Sequence, residues 1–465
     1  MYELELVGPE GQVRHIHYEP HFNEMYWDDG EKFQVNQFRF AQDMNWEAAT
    51  IVSPDMPGKK SRDAKVIKIQ LGLKCNYACS YCNQAAQPHD YDGSPKEVDA
   101  FFDKFQTWFN LGDGEGKRIE FWGGEPFVYW KTLKPLAEKV RAAYPKAEFN
   151  IITNASLFDK DKVDWLVSLG FQVGISHDGP GYEENRGQDP LKDRDILPWV
   201  KYAYDQLHPS GKIGFNCVLT GRHYSIKEVK EYIGHHLGVA PEDVPVTTEE
   251  ILLAYDDNAV SVGLQDEMDA AMLMHTVFYE GITGVAMPSL AGKIKDFLTS
   301  VTNHRPSYVL GQKCGMDRQD NVAVDMGGNV LTCQNTSSET RHKLGNMDDL
   351  DAVSVNTVHH WSTRKECPQC PVLQLCQGAC MFLEDALWEK ACDNSFAYNL
   401  ALLAIGLFHS TNMVLVKVKN PAGIRFESST EVSVIDPSIM HNQGKAAWMK
   451  KRPKVVMLKQ ESCGA

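Results

Sequence analysis

Basic residues are in short supply in this chain of 465 residues: 47 lysines and arginines stand against 62 aspartates and glutamates, a formal net charge of -15. They are scattered rather than gathered into a stripe, so the electrostatic footprint of a nucleic-acid binder is missing. Long hydrophobic runs are lacking too. The longest, Leu400 to Phe408, is far below the roughly 20 residues that span a bilayer, and it reads as a buried helix. No membrane partner is expected. The opening residues, Met1-Tyr-Glu-Leu-Glu-Leu, show neither a basic start nor an apolar stretch of secretory length. A reducing, cytoplasmic setting follows, in which the 12 cysteines read as metal ligands rather than disulfides. No internal repeat or low-complexity tract stands out, and the length calls for two or three domains.

Among what is present, the run Leu71-Gly-Leu-Lys-Cys75-Asn-Tyr-Ala-Cys79-Ser-Tyr-Cys82 is the most informative. A cubane iron–sulfur cluster needs four ligands and this loop offers three, leaving one iron open to a ligand that is not protein. The alternatives are a zinc knot, a disulfide loop or three buried thiols. Structural zinc favours CxxC pairs closed by a second pair, not a three-residue gap. A strand, Val66 to Leu73, leads into the loop. A second, Lys117 to Trp122, is followed by Gly123-Gly124-Glu125-Pro126. A third, Ala147 to Thr153, ends in Asn154, and a fourth, Gln172 to Ser176, runs into His177-Asp178-Gly179-Pro180.

With these segments in this order, the chain resembles the radical SAM family. The resemblance implies an α/β fold: a partial (βα)6 TIM-like barrel whose first strand precedes the cysteine loop and whose open iron chelates S-adenosylmethionine. Cys75, Cys79 and Cys82 then hold the catalytic cluster. Gly123, Gly124 and Glu125 look like the family's GGEP motif, with glycines allowing close backbone approach and the Glu accepting from the methionine amino group. Asn154 matches a strand end near the adenosyl group. Ser176 and Asp178 resemble the SxDGP segment suited to ribose hydroxyls. Arg186 falls where such enzymes carry an Arg that pairs with the SAM carboxylate, and Asn216 is a further candidate contact. For Ser176 and Asn216, a satisfied polar group at a strand end stays open as the alternative.

Seven more cysteines lie between Cys314 and Cys392. On their own, Cys367, Cys370, Cys376 and Cys380 could form a zinc ribbon. With Gly328-Asn-Val-Leu-Thr-Cys333 in front, the order resembles the SPASM extension, which holds two auxiliary clusters. That resemblance gives Cys367, Cys370, Cys376 and Cys392 to a closed outer cluster, and Cys314, Cys333 and Cys380 to an inner one. The inner site lacks a fourth cysteine between Gly315 and Thr332. It is expected to be open or substrate-ligated, with Asp317, Cys217 and Cys463 as other ligands.

Strands and amphipathic helices alternate from Ala64 to about Tyr255, as βα units do around a parallel sheet. The spacing predicts a helix over Glu97 to Leu111 carrying Val98, Phe101, Phe105, Trp108 and Phe109 on one side. A capping box is expected at Ser225 to Glu228, ahead of a helix bearing Val229, Ile233 and Leu237. A last barrel strand is expected at Ile251 to Tyr255. Five units result. Residues 1–63 form a separate β-rich unit with strands at Glu3 to Val7 and Lys32 to Phe40, its aromatics Tyr26, Trp27, Phe38 and Trp46 read as core, with a peptide-binding face as the alternative. Residues 64–260 form the barrel, 261–310 a helical bridge, 311–410 the SPASM domain and 411–465 a tail. The tail carries strands near Val414 to Val418, Glu431 to Val434 and Val455 to Leu458.

The function implied is that of a radical SAM/SPASM maturase, an oxidoreductase with three [4Fe-4S] clusters, one SAM-binding and two auxiliary. It would reductively cleave SAM to a 5′-deoxyadenosyl radical and oxidise a ribosomally made peptide through a C–S or C–C crosslink. A reducing partner such as flavodoxin or ferredoxin would supply the electron. One rival is an anaerobic sulfatase-maturing (formylglycine) enzyme, but the Asp that family places directly after the Cys333 position is Gln334 here. A peptide epimerase and a maturase of peptide-derived cofactors are others. A non-catalytic electron-transfer protein would not need GGEP, the strand-end Asn and SxDGP together.

Overall fold

Three antiparallel strands open the chain, β1 (Tyr2–Val7), β2 (Val13–Glu19) and β3 (Glu24–Trp27). The computed structural model describes residues 1–35, 45–88, 92–425 and 429–438. Six strands follow with period-2 alternation: β4 (Val66–Gln70), β5 (Arg118–Trp122), β6 (Glu148–Thr153), β7 (Gln172–Ser176), β8 (Ile213–Leu219) and β9 (Val246–Ile251). Each pairs in parallel with the next. One set of side chains, including Ile67, Ile69, Phe121, Phe149 and Phe215, is buried beneath the surrounding helices, and the alternate set faces the barrel interior.

The helix predicted over Glu97 to Leu111 spans Val98–Trp108 and buries Val98, Phe101, Phe105 and Trp108 at helical spacing. A single 3-10 turn, Pro95–Glu97, precedes it, with a capping box between Ser94 and Glu97. The helix Ile226–Leu237 starts at Ser225, whose side chain accepts from the Glu228 N–H at 3.0 Å. The other half of the expected box, Glu228 accepting from the Ser225 N–H, is not formed; Glu280 instead accepts from the Ser225 hydroxyl and, at 3.0 Å, from the Lys227 N–H. The last barrel strand is β9, not Ile251 to Tyr255. Alternating Val246, Thr248 and Glu250 are buried, whereas Leu252 and Leu253, just past the last ladder residue Ile251, wall a cavity.

β10 (Asn321–Asp325) lies parallel to β4, and β11 (Asn329–Leu331) and β12 (Lys343–Asn346) extend it antiparallel. The resulting nine-stranded sheet has the order β12-β11-β10-β4-β5-β6-β7-β8-β9. The cysteine-rich extension thus continues the barrel sheet, and the expected boundary at residue 311 does not separate two cores.

The helical bridge comprises Glu267–Thr283 and Met287–Thr302. Both pack on Asp385–Thr411, the helix that contains the Leu400 to Phe408 run. Its most apolar window is 89% buried, so it is a core helix. At Gly281 a Cβ would lie 2.6 Å from the Ile405 Cδ1, and only hydrogen allows this close approach.

β13 (Val414–Lys419) pairs with β1, and β14 (Glu431–Ser433) with β13, giving the order β14-β13-β1-β2-β3. The N-terminal unit and the tail are therefore not separate. β1 has partners on both sides and buries Tyr2, Leu4 and Leu6, which a three-stranded piece ending at residue 63 would leave half paired. Of the strand expected over Lys32 to Phe40, only an isolated bridge from Lys32 to Tyr26 is formed. Residues 36–40 of it, with Phe38, lie outside the described residues, as do the strand expected over Val455 to Leu458 and Cys463.

Candidate active site

A cavity of about 340 Å³ opens at the C-terminal ends of the barrel strands. Cys75, Cys79 and Cys82 line it, beside Gly123, Gly124, Glu125, Asn154, Ser176, Arg186 and Asn216. The loop is braced against its surroundings: the Tyr77 hydroxyl donates to the Gln188 carbonyl at 2.6 Å, and the Ser80 N–H to the Asn185 carbonyl at 2.8 Å. Burial pushes the Cys75 thiol up to about 12 and Cys79 up to about 11, with neighbouring thiols adding to the rise. Such a set resists ionisation by itself and accommodates thiolates once cations share the space.

Gly124 is fixed by contact. A Cβ there would sit 2.4 Å from the Leu73 and Lys74 carbonyl oxygens, and its N–H donates to the Gly72 carbonyl at 3.1 Å. Glu125 is 1% exposed. Its Oε1 accepts from the Phe127 N–H at 3.1 Å and the Thr153 hydroxyl at 2.8 Å, and its Oε2 from the Asn154 N–H at 2.8 Å. Burial outweighs these three donors and raises its pKa to about 7. A carboxylate offers about four acceptor directions, so one remains free on Oε2, with no ion-pair partner among the described residues. Asn154 ties the loop to the strand end, its Nδ2 donating to Asn76 Oδ1 at 3.0 Å.

Asp178 departs from expectation. Arg186 donates to it twice, Nε to Oδ2 at 2.9 Å and Nη2 to Oδ1 at 3.1 Å; the Tyr81 hydroxyl donates to Oδ2 and the Val218 N–H to Oδ1. All four acceptor directions are taken, and Asp178 does not line the cavity. The ribose contact expected of it is thereby replaced by a hold on Arg186. Ser176 and Asn216, paired across β7 and β8, make no side-chain hydrogen bond among the described residues and face the cavity.

The second cysteine field divides into two groups. Cys367, Cys370, Cys376 and Cys392 line one small enclosed void, and their mutual proximity adds to a burial-driven rise in thiol pKa. Arg425, from the tail, donates to Cys392 Sγ at 3.5 Å. Cys314, Cys333 and Cys380 act on one another in the same way, with Cys333 and Cys380 pushed up to about 12, chiefly by burial. Among the described residues no three His, Cys, Asp or Glu side chains converge closely enough to hold one metal ion. A zinc ion would draw four thiolates to about 3.8 Å of one another at its 2.3 Å bonds. Each set is a group of thiols of the kind that ligates iron–sulfur clusters. Cys217 is buried in β8 beside Asp178 and Arg186 rather than with the trio. Asp317 lies near Cys314, with Oδ2 accepting from the Gln312 N–H and Oδ1 buried without a partner among the described residues.

Sequence reasoning missed several residues of the cavity. Trp122 and Tyr255 line it, and Tyr255 also stands against Cys380, Cys333 and Cys314. Gln334 and Asn335 reach in from the turn after Cys333. Gln70 Nε2 holds that turn by donating to the carbonyls of Gln334 and Thr336 at 2.7 and 2.9 Å. Gln84 Nε2 donates to Asn335 Oδ1 at 2.9 Å. Trp122 directly precedes GGEP and was legible by position, but Tyr255 carried no local signal.

A parallel barrel with a three-cysteine loop after its first strand, a GGEP turn after its second and cysteine groups against its mouth defines a radical SAM fold. Residues 69–235 match the model of the Radical SAM superfamily, so the chain contains a radical SAM domain, the domain of enzymes that use SAM and a [4Fe-4S] cluster. Its relatives include the radical SAM cyclopropyl synthase TigE of Paramaledivibacter caminithermalis, 21% identical over 68% of this chain and 68% of that protein. Another is the cysteine-type anaerobic sulfatase-maturating enzyme of Clostridium perfringens, 24% identical over 67% of this chain and 87% of that protein. The solved structure of native anSMEcpe with bound AdoMet shares the fold at a TM-score of 0.53 and 18% identity, covering 74% of this chain and 99% of that one.

Proposed function

We propose that this enzyme is a maturase that oxidises a ribosomally made peptide by closing an intramolecular C–S or C–C bond with loss of two hydrogens. The observation that carries the reading is the shared wall of the cavity: Gln334, Asn335 and Tyr255 of the inner-cysteine side face the same space as Cys75, Cys79, Cys82 and GGEP. A substrate there lies within reach of both the site of radical formation and an acceptor for the surplus electron. A peptide partner agrees with the anSMEcpe structure with bound AdoMet and Cp18Cys peptide, which has this fold at a TM-score of 0.51. TigE, a cyclopropyl synthase by name, agrees with ring closure. Gln334 weighs against the formylglycine reaction, because a neutral amide cannot take up the proton.

When bound, SAM and its cluster supply a 5′-deoxyadenosyl radical that removes a hydrogen atom from an unactivated carbon. The chain's residues bind and orient. Cys75, Cys79 and Cys82 hold the cluster, and the free lone pair of Glu125 with the Gly123-Gly124 backbone receives the methionine ammonium. Arg186, braced by Asp178, faces the methionine carboxylate, while Ser176, Asn216 and Asn154 offer hydrogen bonds to the adenosyl part. Cys367, Cys370, Cys376 and Cys392 hold one auxiliary cluster. Cys314, Cys333 and Cys380 hold the other, whose fourth position is open or taken by substrate. Flavodoxin or ferredoxin serves as reductant.

Mass spectrometry of the modified peptide tests this. A loss of two hydrogens with one 5′-deoxyadenosine formed per event is expected. An unchanged mass with deuterium taken from solvent means epimerisation, and a methyl gain means transfer; either refutes the crosslink.

A further inference from the structure

Besides its cysteines, the active-site cavity is lined by three charged side chains, Glu125, Arg186 and Glu249. Arg186 is paired with Asp178, and Glu125 accepts from three donors. Glu249 has neither an ion pair nor a hydrogen bond among the described residues.

The place of Glu249 comes from β9. Val246, Thr248 and Glu250 are buried on one face of that strand, which leaves Thr247 and Glu249 exposed on the face turned into the barrel. Thr247 pairs in register with Asn216, so Glu249 stands one pleat nearer the mouth. There the strand carries an extra residue: Cys217 pairs with Thr248 and Leu219 with Ile251, and Glu249 and Glu250 together oppose Val218. Glu250 takes a φ of 106°, a conformation that residues with a side chain rarely adopt. Its carboxylate, 3% exposed, is clamped by the ammonium groups of Lys313 and, at 3.5 Å, Lys293. The clamp holds the strained turn, and with it the backbone of Glu249.

Gln334 adds a second acceptor. It lines the same cavity, its carbonyl is held by Gln70 Nε2 at 2.7 Å, and its side-chain Oε1 is buried with no hydrogen-bond partner among the described residues. A buried acceptor without a donor is destabilising, and a ligand that brings a donor relieves it. A free carboxylate and a free amide oxygen together call for a ligand that is positively charged and rich in N–H donors. An ammonium and a guanidinium are both, and neither accepts. Leu252 and Leu253 supply an apolar wall to the cavity, suited to the methylene stem of such a side chain. A chain of net charge -15 also favours a basic partner.

We propose that the cavity recognises a basic side chain of the substrate, lysine or arginine, with Glu249 pairing with its charge and Gln334 Oε1 accepting from one of its N–H groups. The proposal rests on the reading that the substrate is a peptide and that Glu125 and Arg186 meet the ammonium and carboxylate of SAM.

The test uses anaerobically reconstituted protein saturated with SAM and without reductant. It is titrated calorimetrically with N-acetyl-lysine methylamide, N-acetyl-arginine methylamide and N-acetyl-norleucine methylamide, the last having a stem but no charge. The lysine or the arginine probe is expected to bind at least about tenfold more tightly than the norleucine probe, the scale of a charge-assisted contact. Whichever binds more tightly names the side chain. Glu249→Gln should bring that probe to the norleucine level and Gln334→Met should weaken it, while both variants bind SAM as the parent does. Equal binding of all three probes, or binding of none, overturns the proposal. So does a preference that survives Glu249→Gln or is not weakened in Gln334→Met. A loss of SAM affinity in Glu249→Gln assigns the carboxylate to SAM and overturns it too. No turnover is read, so failure here leaves the crosslink standing, which the mass of the product decides.

Discussion

Asp178 and Arg186 form a two-point ion pair in the wall of the cavity, Nε to Oδ2 at 2.9 Å and Nη2 to Oδ1 at 3.1 Å, with side chains 0% and 10% exposed. Removing one partner of such a pair strands a buried charge. Asp178→Asn is expected to destabilise the fold by about 3–5 kcal/mol, read by denaturant unfolding, and to weaken SAM binding by releasing the guanidinium. Asp178→Asn with Arg186→Gln should cost less than the sum of the single changes. Additive costs, or parent-like SAM affinity in Asp178→Asn, would show that the pair does not act as a unit.

Glu125 gives SAM binding a pH dependence. Its pKa stands at about 7 in the fold, against the ordinary 4.5. The stability it contributes is fully present below the unfolded value and is lost as pH rises through about 7, because between these values the native state holds the extra proton. Binding a cationic ammonium at Oε2 favours the ionised form. SAM affinity should therefore rise with pH and level off above about 7, and Glu125→Gln should bind weakly with that step removed. Calorimetric titration between pH 5.5 and 8.5 reads both, and an identical pH profile in the variant refutes the role.

Lys60 is 6% exposed and satisfies three carbonyls at once. Lys60→Met leaves these acceptors without their donor, at roughly 1–3 kcal/mol each. A loss of about 3 kcal/mol or more in denaturant unfolding is expected, together with lowered iron retention at the site of Cys314. A loss below about 1 kcal/mol would mean that water replaces the ammonium.

Replacing Cys75, Cys79 and Cys82 together by Ala is expected to remove one cluster's iron and all SAM cleavage while the other two clusters stay. Cys75, Cys79 and Cys82 line the active-site cavity, whereas Cys367, Cys370, Cys376 and Cys392 line a separate small void. Iron analysis and reductive cleavage assays read this. Loss of all iron would contradict independent sites.

The sequence alone determined the chemistry that is locally encoded. The three-cysteine loop, GGEP and the strand-end Asn154 each sit within a few residues of the strand that carries them, so β-branched runs placed them at strand ends and the family resemblance supplied their expected roles. The apolar run Leu400 to Phe408 was legible as core for the same reason: composition decides burial before topology does.

What joins distant segments was decided only by the tertiary structure. β1 receives β13 from more than 400 residues away, and β10 joins β4 across some 250; backbone hydrogen bonds between such partners leave no local pattern. Asp178 looked like a ligand residue until Arg186, Tyr81 and Val218 were seen to fill its acceptor directions. Tyr255 gained its place beside the inner cysteines from the packing of distant segments, which a single sequence does not encode at any one position.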